Sequence, residues 1–197
     1  MKYVVPEIIK KELTNKDKMR VWTFQNVQCI ERLKRNGVLY GDDPSTFTDI
    51  DKELFQEPYF YMKKQMKQRI KNFSGNFPIW AYPRRPNIKK HCCKIRNSQF
   101  EQKLIIAEVP VKRILASDFD FWNNVINDFF ISLDEQEFKY YENNPSMYKE
   151  TWNRIFDLKT YKGKQAHWVG HGKRIIQLCI DGLFFNEIIK INGLDKK

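Results

Sequence analysis

The sequence predicts an α+β fold: a single domain with a mixed or antiparallel sheet, helices packed on it and a C-terminal β-hairpin. Three observations carry this. Residues 19–25, "MRVWTFQ", alternate apolar and polar as a half-buried strand does. Strand-like runs return at the end of the chain, in "KRIIQLCI" and "LFFNEIIKI", with an Asp181–Gly182 hairpin signal between them. Between these ends lie segments whose apolar residues recur at helical spacing, and that order reads as α+β. The 197 residues suit one domain and can bury a core without staples. Residues 1–18 read as an N-terminal extension and 19–197 as the domain.

After the first strand, Asn26 is placed to cap a helix through Asn36 with Val27, Ile30 and Leu33 on one face, and Gly37 to stop it. "VLYGDDPSTFTDID" reads as a short extended piece and a polar turn. Pro58 then starts a helix whose Tyr59, Met62, Met66 and Ile70 share a face. "FPIWAY" is a short strand, and "KLIIAEVP" is a dense apolar strand ended by Pro110. Ser117 opens the helix "DFDFWNNVINDFF", with Asp118 and Asp120 in its first turn, where acids complement the helix dipole. Ser132 and Glu135 suggest a capping box for a further helix, and "MYKETWNRIFDL" is amphipathic through Tyr148, Trp152, Ile155 and Phe156. "KQAHWVG" reads as strand.

Charge is the most informative part of the composition. The chain carries +11 at pH 7. Of its 35 Lys and Arg, 11 fall in residues 58–100, leaving 24 to balance its 24 Asp and Glu. They are Lys63, Lys64, Lys67, Arg69, Lys71, Arg84, Arg85, Lys89, Lys90, Lys94 and Arg96, and no acid lies among them. Residues 117–150 reverse the sign, with eight acids against Lys139 and Lys149. A localised basic segment is the footprint of a polyanion partner, so nucleic acid or a nucleoprotein complex is the expected partner. Phe77, Trp80 and Tyr82 interleave with the cations, as on a single-strand platform. Trp80 belongs to its strand's core, so the cations carry the expectation, with prolines at 83 and 86 holding Arg84 and Arg85 extended.

Other chemistries find less support. His91, Cys92 and Cys93 are consecutive, so their side chains alternate and do not converge on one ion; no metal is expected. Cys29, Cys92, Cys93 and Cys179 make a poor disulfide framework and read as thiols of a cytoplasmic protein. No apolar run is long enough for a membrane span and no secretory signal opens the chain. "HWVGHGKR" offers His167, His171, Lys173 and Arg174 for acid–base cleavage of RNA, but a Gly–His–Gly turn is ordinary hairpin punctuation, which is the simpler reading. Nucleophile elbows and phosphate loops are absent from the sequence.

The ordered motifs "MRVWTFQ", "FPIWAYPRRPNIK", "IIAEVPVKRILASDFDFWNNVIN", "WNRIFDL" and "KQAHW" resemble a family of bacteria and their phages defined as domain of unknown function 3841. The resemblance covers about residues 19 to 190. It also admits a mobile-element protein that inhibits a host defence complex. In addition, "VWTFQNVQCIERLKRNGVLYGD" and "LIIAEVP" are similar to strands and a helix of ADP-ribosyltransferase-like proteins. That similarity implies NAD as cofactor, a nucleic-acid or protein target, Thr23 and Gln25 at the cofactor cleft, and Gln165 at the position of the catalytic acid. The first strand carries no His or Arg, and Gln165 lacks a carboxylate, so it is suited to positioning a ribose hydroxyl.

Overall fold

The computed structural model describes residues 10, 13–15, 17–88, 101–159, 161–169 and 174–193. The fold is α+β, with eight strands and five α-helices among these residues. Two compact units are distinguished: one of Met1–Asp43, Met62–Leu115 and Leu178–Lys197, the other of Pro44–Tyr61 and Ala116–Gln177.

In the first unit, β1 (Lys18–Asn26) pairs antiparallel with β4 (Gln102–Pro110), in register from Lys18 opposite Pro110 to Asn26 opposite Gln102. Their alternation puts the buried Met19, Val21 and Thr23 opposite the buried Val109, Ala107 and Ile105 on one face, while Leu104, also buried, lies on the other. β8 (Ile188–Gly193) covers the other side of β4, with a register shift between Ile106 and Ala107. α1 (Val27–Asn36) follows β1 as the sequence indicates. The Asn26 side chain accepts the Cys29 N–H, and Gly37 closes the helix at φ 73° by donating to Leu33 O. That left-handed cap is a conformation glycine adopts without a Cβ clash.

β2 (Val38–Leu39) pairs with β7 (Leu183–Phe184), and β3 (Ile79–Ala81) pairs antiparallel with β6 (Ile176–Ile180). β5 (Ile114–Asp118) completes the order β3-β6-β5. The C-terminal strands expected from the sequence are present, with Gly182 at φ 76° between β6 and β7. Arg113 fastens that turn: its guanidinium donates to Gly182 O at 2.7 Å and Asp181 O at 3.3 Å, and pairs with Glu187. The turn is fastened a second time by Ser74, whose N–H and hydroxyl both donate to the Asp181 carboxylate.

In the second unit, aromatic side chains form much of the packing. Tyr59 meets Phe55 at 5.8 Å and Trp122 at 6.3 Å, and Tyr61 meets Trp152 edge-on at 5.3 Å. Trp152 is buried and its indole donates to Phe129 O. α3 (Phe119–Ile126) is capped by Asp118, whose side chain accepts the Phe121 N–H at 2.8 Å.

Five sequence expectations need correction. Ser117 does not open α3: it is a buried residue of β5, and Asp118 caps a helix that ends at Ile126. The helix expected to start at Pro58 is α2, Asp49–Arg69, with Pro58 buried inside it. Thr48 starts it: its hydroxyl accepts the Asp51 N–H and donates to the Asp51 carboxylate. The next helix, α4 (Glu135–Asn143), is capped by Asp134 and not by Ser132. Asp134 accepts the Glu137 N–H, while Glu137 reaches back to the Leu133 N–H. Residues 145–156 form 3-10 turns, opened by Pro145, instead of an α-helix. The stretch "KQAHWVG" is not a strand; α5 spans Gly163–Trp168.

Candidate nucleic-acid interface

The last turns of α2 lie in the first unit and divide by face. Met62, Gln65, Met66 and Ile70 are buried. Lys64 and Lys67 are exposed three residues apart on one side of the helix, and Lys71, in the turn just after it, is exposed too. The alternative for those lysines, a core position, is closed by the methionines that fill it. Lys63 is half-buried, its ammonium 4.4 Å from the Phe77 ring centroid, while Arg69 bonds back to Gln65.

β3 carries the chain to the second basic group. Trp22 and Tyr82 exchange backbone hydrogen bonds of 3.1 and 2.8 Å, which ties the end of β3 to β1. Pro83 is buried immediately after, and Arg84 and Arg85 are exposed. The Arg pair therefore leaves a fixed anchor. Lys89, Lys90, Lys94 and Arg96 lie outside the described residues, as do His91, Cys92, Cys93, His171 and Lys173. Of the interleaved aromatics, Phe77 is buried and Trp80 and Tyr82 are half-buried. Burial pushes the Tyr82 phenol above its ordinary value, and Phe24 meets its ring edge-on at 6.3 Å.

The residues placed by the ADP-ribosyltransferase similarity stand as follows. Thr23 is fully buried; its hydroxyl donates to Trp80 O at 2.7 Å and accepts from the Gln25 amide at 2.8 Å. Gln165 is an exposed residue of α5 in the second unit.

Sequence reasoning placed Asp118 at the start of the helix and missed its second partner. Oδ2 of Asp118 lies 2.8 Å from Nε of Arg174, both side chains being buried. Burial raises the Asp118 carboxyl above its ordinary value, against the Phe121 N–H and the Arg174 charge, which lower it. Aspartate at the helix start was legible; a partner far along the chain carries no local signal.

No helix among the described residues is long and apolar enough to cross a membrane. No curated protein and no solved structure matches the chain. A family model does: Domain of unknown function (DUF3841) matches residues 20–150, from β1 through α1, α2, β4 and α4. With well over half of its length matched, the chain belongs to the DUF3841 family.

Proposed function

We propose that the protein binds nucleic acid, alone or within a nucleoprotein complex, through the cations of residues 58–100. The observation that supports this best is the exposed pair Lys64 and Lys67 on a helix end whose opposite side is core, followed by the exposed Lys71 in the next turn. Residues 58–100 hold no acid that would cancel this charge. Such cations act by neutralising phosphates and releasing condensed counterions, so binding weakens steeply with salt. Arg84 and Arg85 add planar guanidinium groups, which hold phosphate oxygens in pairs.

Titration of labelled single-stranded RNA, single-stranded DNA and duplex at several salt concentrations tests the reading. Each phosphate contact adds about −0.7 to −0.9 to the log–log slope. Replacing Arg84 and Arg85 by Glu, or Lys64 and Lys67 by Glu, is expected to flatten that slope with the melting temperature kept. Binding no tighter than a charge-matched control protein overturns it.

A further inference from the structure

The second unit contains a cavity of about 360 Å³ with an unusual mixture of walls. Phe121, Phe129, Phe138 and Trp168 supply aromatic rings, and the exposed Asp120 supplies a carboxylate. Phe138 and Trp168 meet edge-on at 5.9 Å, and Phe129 lies 6.3 Å from Phe138. Phe129 and Trp168 remain 43% and 40% exposed, a large apolar area to leave against water.

The polar lining is mostly occupied. The Trp168 indole donates to Ser132 Oγ at 3.1 Å, and the Asn124 amide donates to Phe130 O at 2.9 Å. Asp120 differs: it forms no ion pair among the described residues, although Asp118, two residues before it, pairs with Arg174. No described Lys or Arg lines the cavity.

These walls select a ligand class. A phosphate or carboxylate would meet the negative charge of Asp120, which repels it. A neutral apolar ligand would cover Asp120 and leave it without a partner. A hard divalent cation needs several oxygens, and one carboxylate is too few. An alkylammonium ion satisfies both features. Its charge is diffuse and sheathed in C–H groups, so the rings attract it without demanding full desolvation, and the carboxylate neutralises it.

We propose that this cavity binds an organic cation of the alkylammonium class, enclosed by Phe129, Phe138 and Trp168 and balanced by Asp120. Such a group is presented either by a free small molecule or by a methylated lysine side chain of a peptide.

Calorimetry on the full chain, with choline and its neutral isostere 3,3-dimethylbutan-1-ol, provides the test. A second arm uses a trimethyllysine peptide against the same peptide carrying norleucine. Choline or the methylated peptide is expected to saturate the protein, with the neutral counterpart weaker by about tenfold, the scale of a desolvated cation–π contact. Saturation by choline assigns a free ligand, and saturation by the peptide alone assigns a side chain. Trp168→Leu is expected to abolish binding. Asp120→Asn, at an exposed position, keeps the fold and weakens the cation without weakening the isostere. Equal affinity for charged and neutral partners, or no saturation by either cation, overturns the proposal.

Discussion

Asp118 and Arg174 meet at 2.8 Å while their side chains are 1% and 2% exposed. The contact is an ion pair with the Nε–H misaligned from Oδ2, since neither atom makes a hydrogen bond. The guanidinium also packs against two rings. It lies 4.1 Å from the Phe121 ring centroid and 4.9 Å from that of Tyr161, and it donates to Asp157 O at 3.2 Å. Removing Arg174 strands a buried carboxylate. Arg174→Met is expected to cost about 3–5 kcal/mol in urea unfolding. The charge-free double variant Asp118→Asn, Arg174→Met is expected to recover much of that loss, because Asn still caps α3. A double variant as unstable as the single one would contradict the account.

The same carboxyl makes stability depend on pH. Asp118 holds its proton more tightly when folded than at the ordinary 3.8 of the unfolded chain. The folded state then binds more protons than the unfolded one, so this group's contribution falls as pH rises. It is fully present below the unfolded value and is lost as pH passes the raised folded value. Wild type should therefore lose stability relative to Asp118→Asn between strongly acid and neutral pH. Parallel curves for the two proteins would remove the effect.

Two glycines are expected to respond differently to substitution. Gly37 sits at φ 73° with open space around a would-be Cβ. Gly37→Ala should cost about 1–2 kcal/mol from backbone strain alone, and Gly37→Asn less, since Asn tolerates that region. At Gly41 a Cβ would fall inside contact distance of the Pro78 carbonyl, while the Gly41 N–H donates to Phe77 O. Ala and Asn should be equally damaging there, in the range of about 1–3 kcal/mol or more. Thermal melts of the four variants separate strain from collision.

Arg113 provides the structural counterpart to the exposed cations. Its side chain is 16% exposed, that of its partner Glu187 13%, and its guanidinium lies 4.5 Å from the Phe184 ring centroid. Arg113→Met is expected to destabilise by about 2–4 kcal/mol, since two carbonyls and a carboxylate lose their donor. Lys64→Glu with Lys67→Glu should stay within about 0.5 kcal/mol of wild type. Equal losses in the two variants would argue that the lysine face is structural.

What the sequence showed was local. β1, α1 with both its caps, β3, β4 and β6 follow from alternation, Asn26, Gly37 and dense apolar runs. The start of α2 was hidden because a proline at a helix's first turn is ordinary and a buried interior one is not. Thr48 and Asp51 held the signal that reads correctly. α5 was misread because "KQAHWVG" is too short for its periodicity to distinguish helix from strand. The basic face of α2 was legible as charge and spacing. The cavity beside Trp168 was not, since Asp120, Phe129, Phe138 and Trp168 are separated by loops whose paths no local rule sets.

The strand order carries a consequence for how the chain assembles. β6 is the middle strand of β3-β6-β5, and β8 supplies the second neighbour of β4, yet both lie within residues 176–193. During synthesis, β3, β4 and β5 therefore emerge before the strands that complete their pairing. Until then β4 has one free edge, and β3 and β5 lack the strand they share. Such edges template association between chains, and the long-range closure that buries them is slow. A nascent chain halted near residue 170 should be a stronger substrate for chaperones than one released only a few turns of sheet later.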